Sequence, residues 1–384
     1  MCIRDSSSAA LGETLADHRS TIQGKLKKRR MLPAEGMAAI DRLDAVEGIV
    51  GMGRSEFAVE AVAEVMKVKH AVFGELAAAL PEDAILATNT SSLSVSDIAK
   101  KVARPERVVG MHFFNPVRKM PLVEIVRGQQ TSEEVVARTC ALALSLGKTP
   151  VVTSDVPGFL VNRLLGPYVD EAVRLFEGGA EAARIDQLMK NFGMPMGPLR
   201  LLDEVGLDIA SHAAESLHLG YGDRMSHSHV IAGLMDTHRM GKKTGQGFYD
   251  HSSHGKRHSS ATLMPDLPNF QSGDWARSLR DEELVDRMVL AMVNEAARCL
   301  EEKVVATSRE LDLATVFGTG FAPFRGGVLR YADARGAAKI VERLDVLAAS
   351  DEVAERGAGA ARFQPAELLR RHAETGEPLT LPLS

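Results

Sequence analysis

Cysteine is scarce in this chain of 384 residues: Cys2, Cys140 and Cys299 are its three, far apart and odd in number. That pattern argues against a disulfide framework and a cysteine-based zinc site, and it fits a reducing compartment. Long hydrophobic runs are missing too. No apolar stretch approaches the roughly 20 residues of a membrane-spanning helix, and no signal peptide is visible. Neither sign of charge dominates, with 46 Lys and Arg against 51 Asp and Glu and a net charge of −5. That balance gives no bias toward nucleic acid or an anionic membrane surface. One further absence concerns chemistry. A dinucleotide fold opens with a strand, G-x-G-x-x-G, a helix, and an acidic residue about 20 positions on. The nearest string here, Gly48-Ile-Val-Gly51-Met-Gly53-Arg-Ser-Glu56, has Glu56 in the third glycine's place and no helix pattern after it. It reads as a loop.

What is present is an ordinary globular composition, 45% apolar and 25% charged, long enough for two or three domains. Met1–Ser8 (MCIRDSSS) lacks periodicity and reads as a disordered leader, foreign to the gene. Ser20 to Ala39 reads as a helical hairpin with a basic run, Lys25, Lys27, Lys28, Arg29 and Arg30, broken by Pro33. Such a run is a solvated face or, beside a cleft, a contact for phosphates. From Phe57 to Thr153 strand-like runs alternate with helical ones. The strands are Phe57–Ala63, Ala84–Ala87, Arg107–Phe113, Leu122–Val126 and Thr149–Thr153. The helices are Glu64–Ala79, Ser94–Val102 and Glu133–Leu146. Alternation of this kind predicts an α/β domain with a mostly parallel sheet. After Pro157-Gly158 the pattern is helical: Phe159–Phe176, Ala183–Phe192, Leu199–Leu217 and Val230–Met240. A stretch rich in Ser, His, Pro and Gly, His251–Asp274, reads as a linker. Asp281–Glu301, Arg309–Phe317 and Ala337–Leu347 are helical again. NRLLGPYVDEA and DRMVLAMVNEA share a pattern, which points to an internal duplication of the helical part.

Chemistry concentrates between Ala84 and Arg127. His112 ends one apolar run beside a proline turn, and Glu124 lies on the next. A turn between the runs brings carboxylate to imidazole, which fixes the tautomer and raises basicity as a general base requires. A lone histidine beside apolar residues is more often structural, so this reading rests on its partner. Thr88-Asn89-Thr90-Ser91-Ser92 follows a strand; the cluster serves as a helix cap, as a hydrogen-bonding site for substrate or cofactor oxygens, or as both. Asn162 sits one turn into a helix, where it costs propensity and so implies a polar contact. The glycine-rich segment Gly241 to Tyr249, with Lys242 and Lys243, is a chain reversal or a lid bearing a cation for phosphate.

In this order, TNTSSL, GMHFFNPV, MPLVEIV, GKTPVV, DVPGFLVNRLL, FGMPMGP and GKKTGQGFYD closely resemble the L-3-hydroxyacyl-CoA dehydrogenases. FGTGFAPFRGG in the added helical block resembles the α-subunits of bacterial fatty-acid oxidation complexes. The resemblance runs from about Leu11 to the C-terminus. It implies NAD as cofactor, an acyl-CoA substrate, a bacterial cytoplasmic setting, and a thiolase subunit and self-association through the helical domains as partners. It implies His112 as base with Glu124 as its partner, and Ser91 and Asn162 at the substrate, Ser91 also near the nicotinamide. Val62, Ala63, Glu64, Lys69, Asn115 and Lys243 fall on cofactor-contact positions. Lys25 and Lys28 lie in the hairpin used near the CoA phosphates. Phe317 stands where relatives often carry a substrate-contacting tyrosine. The chain departs from the pattern in lacking a preceding enoyl-CoA hydratase domain, the glycine-rich loop and the acidic ribose partner, which reads as a truncation at the 5′ end of the gene.

The expected organisation is therefore a leader (1–10), an incomplete Rossmann-like NAD-binding domain without its first strand and glycine-rich loop (11–155), and a helical dehydrogenase C-terminal domain (156–252). A linker (253–276) and a second helical repeat (277–384) follow. The expected reaction is NAD-dependent oxidation of an L-3-hydroxyacyl-CoA to the 3-ketoacyl-CoA. Two alternatives stand beside it. One is a shorter 3-hydroxybutyryl-CoA dehydrogenase, against which the second helical block argues. The other is a non-catalytic assembly module of an oxidation complex.

Overall fold

The structure, a computed structural model, describes residues 1–5, 7–49, 51–252, 262–350 and 360–380. It begins with strand β1 (Cys2–Arg4), helices α1 (Ser8–Lys27) and α2 (Pro33–Asp41), and strand β2 (Asp44–Val46). β1 and β2 pair in parallel as a sheet of their own. The disordered leader expected at the N-terminus is not what the structure shows. Cys2 packs on the neighbouring core, Arg4 pairs with Glu75 at 2.7 Å, and the Ser7 hydroxyl caps α1 by accepting the Ala10 N–H. In sequence the strand is too short to show a period, so only its partner β2 reveals it.

A five-stranded sheet follows, in order β3-β4-β5-β6-β7. Its elements are β3 (Phe57–Glu60), α3 (Met66–Ala79), β4 (Ile85–Thr88), α4 (Val95–Ala99), β5 (Val108–Phe113), β6 (Leu122–Arg127), α5 (Glu133–Ser145) and β7 (Thr149–Ser154). β4, β5 and β6 read as continuous apolar runs because helices cover both faces. Phe73, Leu76, Ile98 and Val108 fill one side, and Val135, Val136, Val109 and Met111 the other. Ser94 and Ser132 start α4 and α5 as side-chain caps. The sheet is mixed: β5 and β6 pair antiparallel while the other pairs are parallel. The loop between β5 and β6 is too short for a parallel crossover, and it contains the cis bond Asn115-Pro116. Among the described residues no strand joins the β1–β2 pair to β3, which leaves β3 at the sheet edge with Val59 and the following Val62 exposed.

The rest is helical: α6 (Val161–Glu177), α7 (Ala182–Phe192), α8 (Pro198–Val205), α9 (Leu207–Tyr221) and α10 (Val230–Asp236), then α11 (Asp281–Glu301), α12 (Ser308–Ala314), α13 (Val328–Arg335) and α14 (Ala337–Ala348). The duplication hinted at in sequence is visible as repeated chemistry. Asp186 of α7 accepts the N–H groups of Leu199 and Arg200, and Asp312 of α12 those of Leu329 and Arg330. Asp203 of α8 binds the N–H groups of Phe248 and Tyr249, and Asp333 of α13 those of Leu379 and Thr380. Gly206 (φ 102°, ψ 127°) joins α8 to α9, and Gly336 (φ 91°, ψ 124°) joins α13 to α14. Gly206 thus splits the single helix expected over Leu199–Leu217, since its positive φ lies outside the helical region. α6 and α11 pack antiparallel with reciprocal ion pairs, Arg163 to Glu295 (2.7 Å) and Arg287 to Glu171 (3.2 Å). Each helix gives the other the same Arg and Glu, as in a two-fold contact.

Two other expectations change. The helix expected over Arg309–Phe317 stops at Ala314 and widens into a π-turn, Thr315–Thr319. The linker reading of 253–276 falls partly on residues 253–261, outside the described residues. The described remainder is packed: Leu267 and Ala276 are buried, and Gln271 donates to the Phe176 and Ala180 carbonyls. Among the described residues no helix is long and apolar enough to cross a membrane.

Candidate active site

The β5–β6 register sets His112 directly opposite Glu124. In an antiparallel pair, directly opposed side chains share a face of the sheet. His112 Nδ1 lies 2.7 Å from Glu124 Oε2, with Glu124 fully buried and His112 nearly so. The other carboxylate oxygen accepts the Leu160 N–H (3.1 Å) and the Val161 N–H (2.9 Å) at the start of α6. With Oε2 as acceptor, Nδ1 carries the proton and Nε2 the lone pair. Nε2 has no protein partner among the described residues. Phe114 (4.6 Å) and Phe159 (5.7 Å) pack against the imidazole. Phe159 adopts φ 48° after Gly158 at φ 72°. This strained left-handed pair turns the chain from β7 into α6, aims two N–H groups at Glu124 and sets the Phe159 ring on His112.

The hydroxyl cluster lies at the end of β4. Glu64 Oε1 gathers the Thr90 hydroxyl (2.6 Å), the Ser91 N–H (2.7 Å), the Ser92 N–H (3.0 Å) and, more loosely, both serine hydroxyls. Burial alone would raise the Glu64 carboxyl. The Thr90 hydroxyl, the Ser91 N–H, Lys69 and the Ser92 N–H outweigh it and hold the group at about 2. Asn162 Nδ2 approaches the Ser91 carbonyl at 3.4 Å, so the structure brings Ser91 and Asn162 together. Ser94 caps α4 by accepting the Asp97 N–H, and Asp155 accepts its hydroxyl and the N–H groups of Val95 and Ser96.

Other sequence candidates fall differently. Lys69 is fully buried; its ammonium donates to Glu60 Oε1 (2.8 Å) and Oε2 (3.0 Å) and pairs with Glu64 (3.2 Å). Its three protons are thereby engaged within the protein, and the side chain acts as a brace under the Glu64 turn. Val62 and Ala63 are exposed just past β3, with the Val62 N–H held by Glu60 (2.6 Å). Asn115 is exposed at the cis bond after β5. Lys243 pairs with Asp208 at the start of α9 and Lys242 with Glu204, so the glycine-rich turn is pinned to α8 and α9. Lys25 and Lys28 are exposed around the end of α1 and form no ion pair among the described residues. Phe317 is half-buried in the π-turn against the helical core.

Three features escaped the sequence reading. Glu60, buried, also accepts the Thr88 hydroxyl at 2.7 Å; an acidic residue closing an apolar strand was the available signal. The Leu160 and Val161 N–H groups are backbone donors that no residue-type pattern shows. The third is Asp5. An acidic ribose partner was expected to be absent; Asp5 is an acidic residue that directly follows the parallel strand β1. Cys2-Ile3-Arg4-Asp5 was the signal, too short to show a period.

A mixed sheet with helices on both faces, a histidine–carboxylate pair at its strand ends and a helical domain beside it is the build of a two-domain, nicotinamide-linked dehydrogenase. The patterns described as "3-hydroxyacyl-CoA dehydrogenase, NAD binding domain" and "3-hydroxyacyl-CoA dehydrogenase, C-terminal domain" match residues 1–156 and 158–251. The chain belongs to the 3-hydroxyacyl-CoA dehydrogenase family, a family of NAD-dependent oxidoreductases. It is 40% identical over 381 residues to the fatty acid oxidation complex subunit alpha of Pseudomonas syringae pv. syringae, covering 98% of this chain and 51% of that protein. Identity to the corresponding subunit of Acinetobacter baumannii (strain SDF) is 42% over 342 residues, 88% of this chain and 47% of the relative. The chain thus spans about half the length of the curated relatives it matches. Among solved structures, 3-hydroxybutyryl-CoA dehydrogenase from Escherichia coli superposes with a TM-score of 0.84 at 27% identity, covering 97% of this chain and 93% of that one. (S)-3-hydroxybutyryl-CoA dehydrogenase from Ralstonia eutropha is 34% identical with a TM-score of 0.62, covering 64% and 88%.

Proposed function

We propose that the chain oxidises an L-3-hydroxyacyl-CoA to the 3-ketoacyl-CoA with NAD, as the dehydrogenase part of a fatty-acid oxidation system. The His112–Glu124 pair carries this reading: a buried, hydrogen-bonded imidazole with its free nitrogen at the strand ends. Nε2 takes the proton of the C3 hydroxyl while Glu124, steadied by two backbone N–H groups, holds the imidazole and balances the cation that forms. Ser91 and Asn162, adjacent in space, orient the hydroxyl or thioester oxygen. Nicotinamide, when bound, supplies the hydride acceptor. The residues present fit part of that cofactor. Asp5 suits a ribose hydroxyl, and the turn of Val62, Ala63, Glu64 and Ser91, with Asn115, suits its nicotinamide half. Lys69 supports it from beneath rather than by contact, and no glycine-rich turn among the described residues serves the pyrophosphate.

Lys25 and Lys28, exposed at the hairpin tip, suit CoA phosphates, and Phe317 suits the acyl chain. Lys243 reaches a cofactor only by leaving Asp208. The proposed units are a nucleotide-binding part that joins 1–10 to 11–155, followed by 156–252, 253–276 and 277–384. A thiolase subunit and self-association are the proposed partners, and the bacterial cytoplasm the proposed setting.

The decisive experiment titrates the chain with NADH by calorimetry and then assays reduction of acetoacetyl-CoA. Turnover is expected, with His112→Ala slower by at least about 100-fold and acyl-CoA binding retained. Near-normal turnover in that variant would sink the proposal. A short-chain preference is the second reading. Against expectation, the second helical block does not argue against it, since the E. coli 3-hydroxybutyryl-CoA dehydrogenase structure aligns with nearly the whole chain. Rates on C4 and longer acyl-CoA substrates separate the two. A folded chain that neither binds NADH nor turns over, yet holds a partner enzyme, would favour the assembly-module reading.

A further inference from the structure

The second helical repeat reaches the candidate active site through one glycine. The π-turn Thr315–Thr319 extends α12, with the Gly320 N–H closing on the Thr315 carbonyl. Wide turns of this kind are rare and cluster at functional places. A Cβ added at Gly318 would stand 2.6 Å from Val161 Cγ2 and 2.7 Å from Leu122 Cδ2, with Val161 Cγ1 at 3.2 Å. Both neighbours matter. Leu122 opens β6, two residues before Glu124. Val161 opens α6, and its N–H is one of the two that hold Glu124 Oε1. The turn is itself braced. Gly320 sits at φ 73° against Pro195, the Thr319 hydroxyl bonds the Thr315 carbonyl at 2.7 Å, and Phe321 behind it is buried. The backbone at Gly318 therefore meets the start of α6 as a rigid stop.

We propose that Gly318, in the π-turn of the second repeat, is a positioning residue for the His112–Glu124 pair: it seats the first turn of α6 so that the Leu160 and Val161 N–H groups grip the carboxylate. This rests on the reading of that pair as the reacting one. A methyl group at Gly318 must push Val161 outward from 2.6 Å toward the 3.4–4 Å of ordinary contact. A shift of roughly 1 Å at a catalytic group costs up to about a hundred-fold in rate.

The test is proton NMR of the full chain, following the hydrogen-bonded Nδ1–H of His112. In Gly318→Ala this resonance is expected to shift or broaden away. In Gly318→Ala/Val161→Ala, which removes the Val161 methyl groups and leaves only the flexible end of Leu122 to move aside, it should return. Gly178→Ala, tight against Trp275 at the opposite, C-terminal end of α6, should leave it in place. An unmoved resonance in folded Gly318→Ala, or the same loss in Gly178→Ala, overturns the proposal. If Gly318→Ala does not fold, Val161→Ala is read instead: loosening the contact from the other side should broaden the line, and a sharp, unmoved line overturns the proposal. Where the parent chain turns over, kcat should fall about ten-fold or more with KM for the acyl-CoA nearly unchanged. A parent without turnover counts against the functional reading alone, and the resonance still decides this one.

Discussion

Single residues carry two opposed electrostatic arrangements. Glu64 is ionised well below its ordinary range, at about 2 against 4.5, so its stabilisation is fully present above pH 4.5 and is lost as pH falls toward 2. Glu64→Gln should therefore be less stable than the parent at neutral pH, with the gap closing as pH drops through that window; urea midpoints across pH would show it. Glu124→Gln should lower kcat by about 100-fold while leaving a folded chain, because an amide oriented to accept from the backbone turns an N–H toward Nδ1. A kcat within about two-fold of the parent would contradict that geometry. His112 and Glu124 were legible in sequence because a short turn between two apolar runs can only make a hairpin, and a hairpin fixes which side chains face each other. For Lys69 the resemblance implied a cofactor contact, but its partner Glu60 is a neighbour in space that no local pattern announces. Asp5 was unreadable for a related reason: its strand has three residues and is defined by pairing with β2.

At the scale of elements, the buried aspartates of α7 and α12 act as knots, each collecting the N–H groups that open the next helix. Burial raises Asp312 to about 6 despite the Leu329 and Arg330 N–H groups. A carboxyl raised on folding favours the protonated fold, so this contribution is full below pH 3.8 and is lost as pH rises through about 6. Asp312→Asn should gain on the parent across that interval; paired thermal melts at several pH values would reveal a flat difference if the knot were indifferent to charge. The opposite sign from Glu64 reflects environment alone, since Glu64 has a lysine and three hydroxyl side chains around it and Asp312 has two backbone donors. Element types were largely legible, because strand and helix periods survive burial. Joints were not. Gly206 breaks a run that is apolar at helical spacing on both sides, and the π-turn after Ala314 keeps a helical pattern while changing its hydrogen bonds.

For the molecule as a whole, the reciprocal pairs Arg163–Glu295 and Arg287–Glu171 cross a buried seam between the repeats. Arg163→Met should cost about 1–3 kcal/mol, since buried Glu295 keeps only the longer contacts to Arg224 (3.5 Å) and Arg298 (4.0 Å), whereas Arg163→Met with Glu295→Leu should recover part of that loss. Chemical denaturation of the singles and the double tests the coupling, and additive losses would mean the pairs are incidental. The duplication was faintly legible in two similar helix sequences, but its extent showed only in the matching carboxylates and glycine joints, because the repeats have kept their hydrogen-bonding skeleton and little else. A seam of this two-fold kind between separate chains would open on dilution. Joined by one polypeptide, it has no dissociation constant, and its integrity is indifferent to concentration. The same linkage frees each half to accept substitutions without imposing them on its twin, so the first can keep its surface for the nucleotide-binding part while the second reshapes a helix end into the wide turn that meets Val161.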